Sequence, residues 1–143
     1  MCIYLWLVCL GGAQAHTSCN DITRRPHNSG HFSLEACEID QFEMHLRAIA
    51  KLPCPPPSLR VQHALMVNVL GRSHDTNKDT DKEPRDIIQR ALGVPGATVH
   101  WYGKEEERPG RKLAHITLTA SSEAELVRKA DALGVCRYGC VTS

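Results

Sequence analysis

The chain has 143 residues, a length typical of one domain or of a piece of one. Lys and Arg number 17 and Asp and Glu 16, a formal net charge of +1, so no bulk charge points to nucleic acid or an anionic membrane as a partner. Hydrophobic residues make up 42% and aromatic residues only 5%, which allows a lean core, and no apolar run reaches the roughly 18 residues of a membrane-spanning helix.

The first fifteen residues imitate a secretory signal peptide. An apolar run from Ile3 to Leu10 precedes two glycines and the small-x-small sequence Ala13-Gln14-Ala15. No Lys or Arg precedes Arg24, so the basic start of a signal peptide is missing. The same run has the length and the β-branched and aromatic content of a buried strand, and both interpretations stay open.

The middle of the chain predicts a polar loop, a helix and a strand. Thr17 to Gly30 is rich in turn-forming residues and is expected to be a loop. Asp40 followed by Glu43 predicts the start of a helix that Pro53 ends. Its apolar face consists of Ile39, Phe42, Leu46, Ile49 and Ala50. Residues 64–70 predict a buried strand that Gly71 ends.

The last half predicts a helix, a hairpin and a second helix. The charged run 72–85 is expected to be a solvated loop, and a short helix follows at Pro84–Leu92. Strands over Ala97–Lys104 and Lys112–Thr119 alternate in polarity and flank a turn at Pro109-Gly110, which predicts a hairpin with a long loop. Ser122 and Glu125 cap the final helix, and Gly134 ends it.

One polar cluster with possible chemistry runs from Asn20 to His31. A carboxamide at Asn20 beside a carboxylate at Asp21 suits Mg²⁺, which takes oxygen ligands and shares them with phosphates. Arg25, His27 and Asn28 are suited to hold a small anionic substrate. The alternative is an ordinary polar loop.

A second cluster of cations lies around the predicted hairpin turn. Its members are Lys104, Arg108, Arg111, Lys112 and His115. Cations that converge on one loop can neutralise a phosphate dianion. Three glutamates at 105–107 lie among them, so a solvated surface of alternating charges is the alternative.

The cysteines give little support to a disulfide framework or a zinc site. Seven cysteines at irregular spacing are expected to be isolated thiols in a reducing compartment. Cys19, His27, His31 and Cys37 are of the right types for zinc, but no Cys-x-x-Cys pair or helical His spacing is present.

Three motifs in order resemble the closing part of an ATP-grasp enzyme. The first motif is Arg25-Pro26-His27-Asn28-Ser29-Gly30-His31, followed along the chain by Gln41-Phe42-Glu43. The second motif is His100-Trp101-Tyr102-Gly103-Lys104. The third motif is Arg108-Pro109-Gly110-Arg111-Lys112-Leu113-Ala114-His115. The likeness extends from Asn20 to Leu133. The family is that of the ATP-dependent carboxylases of purine biosynthesis, which includes carboxyaminoimidazole ribonucleotide synthetase and phosphoribosylaminoimidazole carboxylase.

The resemblance implies an α+β fold, in which the end of an ATP-grasp core precedes a small C-terminal subdomain of strands and helices. It implies that ATP and Mg²⁺ are the cofactors and that bicarbonate and aminoimidazole ribonucleotide are the substrates. ATP phosphorylates bicarbonate, and the amine of the ribonucleotide captures the carboxyl group. The complete enzyme is expected to be a homo-oligomer in the cytoplasm or an organelle, without nucleic acid or membrane partners.

The resemblance also implies a role for each matching residue. Asn20 and Asp21 stand where the family binds Mg²⁺ and ATP, with Asp21 as the metal ligand. The catalytic residues by the carboxyl-transfer site are Arg25, His27 and Asn28, and the residues that bind the substrate phosphate are Lys104, Arg111 and Lys112. Asp21 departs from the family's usual Glu and is one methylene shorter.

We expect a truncated form of this enzyme. Residues 1–19 form an unmatched apolar leader, 20–57 the end of the ATP-grasp domain, 58–134 the C-terminal subdomain and 135–143 a tail. Because an upstream domain and the nucleotide-binding lysines are missing, the chain is expected to be inactive alone. The alternatives are a non-catalytic remnant that binds a ribonucleotide phosphate, and a small secreted protein.

Overall fold

The computed structural model describes residues 4–10, 16–23, 25–71 and 84–135, with side chains described in the last two ranges. Two antiparallel sheets organise these residues. In the first, β1 (Tyr4–Leu10) pairs with β2 (His16–Thr23). In the second, the strands lie in the order β3 (His63–Leu70), β5 (Lys112–Ala120), β4 (Ala97–Trp101). The helices of the described residues are α1 (Ser33–Ala36), α2 (Gln41–Ile49), α3 (Pro84–Leu92) and α4 (Glu123–Leu133).

The described part of the first 23 residues forms the two strands of the first sheet. The strand interpretation of the opening run agrees with β1. The predicted polar loop from Thr17 to Gly30 is wrong over its first part, because those residues continue in β2 through Thr23. Pairing with β1 gives the backbone N–H and C=O groups partners, which overrides the local preference of Asn and Asp for turns.

The pairing of β1 with β2 is irregular at one point. Trp6 lies opposite Asp21, but Leu7 lies opposite Cys19, so the register skips Asn20. Such a shift is typical of a β-bulge, and bulges are common beside active sites.

α2 begins at the predicted cap. The Asp40 carboxylate accepts the backbone N–H groups of Phe42 (2.7 Å) and Glu43 (3.0 Å). The Glu43 carboxylate bonds to Arg47 one turn later. Since these contacts are local, the start of this helix was predictable from the sequence.

α2 ends earlier than predicted, at Ile49. Lys51 takes a left-handed backbone conformation with φ of 55°, and the N–H of Leu52 bonds back to the Arg47 carbonyl (2.8 Å). The predicted end at Pro53 is wrong because the backbone turns before the proline is reached. Much of the predicted apolar face is exposed in the described residues: Phe42 (40%), Leu46 (65%) and Ile49 (63%).

The hairpin of β4 and β5 confirms the prediction, with a shorter first strand. β4 ends at Trp101 and not at Lys104. The N–H of Tyr102 still bonds to the Leu113 carbonyl (3.0 Å), and Gly103, with φ of 61°, then turns the chain away. The predicted short helix over Pro84–Leu92 is confirmed as α3.

α4 begins at the predicted cap, Ser122. Ser122 Oγ accepts the N–H of Glu125 (3.3 Å), but the Glu125 carboxylate accepts the N–H of Ser121 (2.9 Å) and not that of Ser122, so only half of the predicted capping box forms. Gly134, with φ of 73°, ends the helix as predicted.

β5 separates an apolar face of the sheet from a polar one. The apolar face packs on α3 and α4; its buried residues are Ala114, Ile116, Leu118 and Ala120 on β5, Ala91 on α3, and Leu126, Ala130 and Leu133 on α4. On the other face, His115 and Thr117 are also buried. A central strand covered on both sides places these polar side chains in the interior.

Residues 72–83 and 136–143 lie outside the described residues, and so do most of the predicted solvated loop and the predicted tail. None of the described helices combines the length and the apolar character needed to cross a bilayer.

Candidate functional site

His27 begins a 3₁₀ turn (Asn28–Gly30) that the first residue of α2 fixes in place. The backbone N–H of His27 donates to Gln41 Oε1 (2.9 Å), and Gln41 is only 1% exposed. The His27 ring folds back over the turn, with Nδ1 3.0 Å from Ser29 Oγ. His27 and Asn28 are half-buried at this turn, so they are held in one orientation while part of each stays accessible.

Gln41 also contacts the ring of His31. Because Gln41 Oε1 accepts the His27 N–H, its Nε2 faces the ring and donates to His31 Nδ1 (2.7 Å). His31 is therefore neutral, with its proton on Nε2. Burial lowers the pKa of His31, and the positive charges of His100, Lys112 and His27 lower it further.

Three imidazoles lie one upon another between α2 and the sheet. The ring centroid of His115 is 4.9 Å from that of His31 and 4.3 Å from that of His100, with interplanar angles of 12° and 14°. We refer to His31, His115 and His100 as the histidine stack. Phe42 extends it on the far side of His31, with its centroid 5.8 Å away.

Tyr102 forms a hydrogen bond with the central ring. Its hydroxyl lies 2.7 Å from His115 Nδ1. Burial lowers the pKa of His115 to about 4, with further lowering by His100 and His31, and burial raises the pKa of Tyr102. Both groups are therefore neutral at pH 7, and one proton is shared in the hydrogen bond between them.

The other end of the stack is tied to α1. His100 Nε2 lies 2.7 Å from Glu35 Oε1, and the Glu35 side chain is 15% exposed. This contact joins β4 to the short helix that follows the His27 turn.

Lys104 lies against the hairpin. Its Nζ is 5.3 Å from the centroid of the Tyr102 ring and donates to the Lys112 carbonyl (2.7 Å). An ammonium group over an aromatic face is attracted to it. The position of Lys104 therefore depends on the ring that also bonds to His115.

Arg111 and Arg108 line an open depression in the hairpin loop with a volume of about 780 Å³. The other lining residues are Gly103, Glu105, Glu106, Pro109 and Gly110. Arg108 forms an ion pair with Glu106, while Arg111 donates to the Glu106 carbonyl (3.2 Å). The charge of Arg108 is thus paired with a carboxylate, whereas Arg111 bonds to a backbone carbonyl.

The end of β3 holds this loop closed. The N–H of Gly71 donates to the Arg111 carbonyl (2.8 Å), and the N–H of Gly110 donates to the Gly71 carbonyl (3.1 Å). A Cβ at position 71 would overlap the Arg108 carbonyl oxygen, so only glycine fits here.

The structure brings the two predicted clusters together at His31. Both His27, from the first cluster, and Lys112, from the second, act electrostatically on the His31 ring. Arg25 is exposed just before the turn and donates to the Pro26 carbonyl (3.3 Å). The roles expected for these residues stay predictions.

Asn20 and Asp21 lie on β2, and their side chains are outside the described part of the structure. Their contact with ATP and Mg²⁺ stays a prediction. Among residues with described side chains, no group of three or more His, Cys, Asp or Glu is arranged to hold a metal. The described thiols are free: Cys37 is buried, which raises its pKa, and Cys54 is exposed.

Tyr102, His100, Glu35 and Gln41 were not among the residues predicted from the sequence to form the site. A signal was present, because the alternation in β4 places His100 and Tyr102 on one face, and the hairpin register puts His100 directly opposite His115. No comparable signal marks Gln41, whose contacts depend on how α2 packs.

Comparisons with known proteins identify the family. Residues 64–129 match the family model of the phosphoribosylaminoimidazole carboxylase C-terminal domain. The chain is 46% identical over 114 residues to phosphoribosylaminoimidazole carboxylase of Schizosaccharomyces pombe, which covers 77% of this chain and 20% of that protein. It is 47% identical over 109 residues to N5-carboxyaminoimidazole ribonucleotide synthase of Synechococcus elongatus, which covers 76% of this chain and 26% of that protein.

A solved structure shares the fold. It is N5-carboxyaminoimidazole synthase of Aspergillus clavatus in complex with ADP and 5-aminoimidazole ribonucleotide, with a TM-score of 0.66 and 37% identity over 84% of this chain and 30% of that one. This chain spans 20% to 26% of the length of the two curated relatives. The motifs, the α+β fold and these matches show that the chain belongs to the phosphoribosylaminoimidazole carboxylase family and carries its C-terminal domain.

Proposed function

We propose that this chain forms the ribonucleotide-binding end of an ATP-dependent carboxylase site that acts on aminoimidazole ribonucleotide. The observation that carries the proposal is the hairpin, where Arg111 lines an open depression. Lys104 is fastened to the same hairpin by its bond to the Lys112 carbonyl. The related Aspergillus clavatus protein was solved with 5-aminoimidazole ribonucleotide bound, which supports a ribonucleotide as the ligand.

The phosphate of the ribonucleotide is the group that these cations suit. Arg111 offers paired N–H donors, and the ammonium groups of Lys104 and Lys112 supply point charges. Arg108 is paired with Glu106 and contributes less. We therefore assign the 5′-phosphate to Lys104, Arg111 and Lys112.

We assign carboxyl transfer to the His27 turn. The amine nitrogen of the ribonucleotide attacks the carboxyl carbon of carboxyphosphate, the bond from that carbon to the phosphate oxygen breaks, and the amine gives up one proton. An imidazole such as His27 is suited to accept that proton, and Asn28 and Arg25 are suited to bind the carboxyl oxygens. The Gln41 contact supports this role because it holds the His27 backbone still.

We assign ATP and Mg²⁺ to Asn20 and Asp21. Their amide and carboxylate oxygens are the hard donors that Mg²⁺ takes, and the bulge at Asn20 is typical of strands beside active sites. Bound ATP with Mg²⁺ would supply the phosphoryl group that activates bicarbonate.

The complete reaction is proposed for a longer protein. The chain spans 30% of the Aspergillus clavatus chain, and we propose that alone it binds the ribonucleotide without turnover. The division at residues 57 and 58 into the end of an ATP-grasp domain and a C-terminal subdomain belongs to the same proposal, as do a homo-oligomeric complete enzyme and its place in the cytoplasm or an organelle.

Calorimetric titration with aminoimidazole ribonucleotide tests the assignment. Arg111→Ala is expected to weaken binding at least tenfold, because a charge-assisted contact to the phosphate is lost. Arg128→Ala, an exposed arginine on α4, serves as the control and is expected to bind like the parent chain. Equal affinity in Arg111→Ala and the parent would overturn the phosphate assignment.

A separate assay decides whether the chain acts as a catalyst by itself. We expect no ATP hydrolysis that depends on both aminoimidazole ribonucleotide and bicarbonate. Hydrolysis that requires both, and that is lost in His27→Ala, would show a complete active site and overturn the proposal of binding without turnover.

A further inference from the structure

The two proposed subsites lie on separate segments of the chain. Contacts between these segments must therefore hold the subsites at a fixed distance from each other. The His27 turn precedes α1, while Lys104 follows β4. One ribonucleotide can reach both only if the turn and the hairpin keep a fixed distance. The contacts between them pass through the histidine stack.

The first half of this connection joins His27 to the stack. Its backbone N–H donates to Gln41, and Gln41 donates to His31, whose ring lies face to face with His115. Each of these contacts is short, and Gln41 is almost completely buried. A shift of the turn would break two hydrogen bonds at Gln41.

The second half joins the stack to Lys104. The Tyr102 hydroxyl forms a hydrogen bond with His115 Nδ1, and the Tyr102 ring lies beneath the Lys104 ammonium. His115 itself is 3% exposed, so it has almost no surface with which to touch a ligand. Any influence of His115 on binding acts through its neighbours Tyr102, His31 and His100.

The packing of the stack depends on a neutral central ring. The polar side chains that face His115 are His31 after the turn, His100 on β4, Tyr102 just beyond β4, and Asn68 opposite it on β3. Lys112 on β5 acts on His31, and Glu35 of α1 bonds to His100 and not to His115. A second proton on His115 would place a positive charge between two imidazoles in the interior.

We propose that His115 and Tyr102 are positioning residues, which hold Lys104 and the His27 turn at the spacing that one ribonucleotide requires. This inference rests on the proposed function. It adds residues that act on the phosphate subsite without touching the substrate.

A double-mutant cycle on the full 143-residue chain tests the proposal, with aminoimidazole ribonucleotide binding measured by calorimetry at pH 8. Tyr102→Phe keeps the ring beneath Lys104 but removes the hydroxyl, and we expect affinity to fall about threefold to tenfold. Lys104→Ala is expected to cost less affinity in the Tyr102→Phe background than in the parent chain, because both changes disturb one arrangement.

His115→Phe removes the hydrogen-bond partner of the Tyr102 hydroxyl and keeps an aromatic ring in the stack. It is expected to lower affinity like Tyr102→Phe and to add little in combination with it. Thr117→Val, a buried polar residue on the same face of β5, is the control and is expected to leave affinity unchanged. If His115→Phe fails to fold by circular dichroism, the cycle with the half-buried Tyr102 still decides the question.

A pH series separates positioning from general stability. Below about pH 5 the parent chain is expected to lose affinity more steeply than His115→Phe at temperatures where both are folded, because only the parent has a ring at position 115 that can be protonated. The second pKa of a phosphate lies near 6 and affects both chains alike, so the comparison is made between variants at each pH.

The outcomes distinguish the inference from the proposed function. Unchanged affinity in Tyr102→Phe, or fully additive effects with Lys104→Ala, would overturn the positioning role while Arg111→Ala still reports on the phosphate subsite. Parent-like binding in both Lys104→Ala and Arg111→Ala would overturn the proposed subsite, and the inference with it.

Discussion

His31 and His115 lie face to face with their ring centroids 4.9 Å apart, although they come from distant parts of the chain. Neither ring is charged at pH 7, because burial lowers the pKa of both. Two positive charges at this distance in the interior would repel strongly. The packing of the His27 turn on the sheet is therefore expected to depend on pH.

We predict that the free energy of unfolding falls as the pH is lowered from 6.5 toward 4. In that window the unfolded chain binds a proton at His115, whose ordinary pKa is 6.5, while the folded chain does not until the pH reaches about 4. The loss attributable to this residue reaches about 3 kcal/mol. Urea denaturation at a series of pH values measures it.

His115→Phe is the matched variant for this pH series. It removes the titrating group, so its stability is expected to change less between pH 6.5 and pH 4 than that of the parent chain. Parallel pH profiles for the two chains would show that the titration of His115 is not the cause.

Gly71→Ala is predicted to destabilise the fold by about 2 kcal/mol or more. The new Cβ would overlap the Arg108 carbonyl oxygen, which is backbone and cannot rotate away. Gly93→Ala is the control, since its Cβ would meet its nearest atom, the Arg90 carbonyl oxygen, at an ordinary 3.4 Å. It is expected to stay within about 1 kcal/mol of the parent. Thermal melts of the two variants decide the prediction, and similar melting temperatures would contradict it.

Asp40→Ala is predicted to cost about 1 kcal/mol, because the N–H groups of Phe42 and Glu43 lose their acceptor at the start of α2. Asp40→Asn keeps an acceptor oxygen and is expected to recover most of the loss. Chemical denaturation of both variants measures the difference, and an Asn variant as unstable as the Ala variant would argue against the cap.

Leu133→Ala is predicted to destabilise the chain by about 2–5 kcal/mol, since Leu133 is fully buried between α4 and the sheet. Leu92→Ala removes the same atoms from a side chain that is 75% exposed and is expected to change stability by less than about 0.5 kcal/mol. The denaturant concentration at the midpoint of unfolding measures the stability of each variant. Equal losses of stability in the two variants would contradict the burial of Leu133 between α4 and β5.

The sequence predicted those parts of the fold that local contacts specify. The caps at Asp40 and Ser122 each join residues two or three positions apart, and the hairpin around Pro109-Gly110 pairs strands that follow each other in the chain. The cations of the hairpin were predictable for the same reason. The second strand, β2, was missed because its pairing with β1 outweighs its polar, turn-like composition.

The sequence by itself determined the positions of α2, α3, α4 and the strands of the second sheet, and which cations gather at the hairpin turn. Only the tertiary structure decided that β3 lies beside β5, that Gln41 holds both His27 and His31, and that three histidines meet in the interior. Those contacts join residues far apart along the chain, and their formation depends on how whole elements pack together, which no local pattern of residues records.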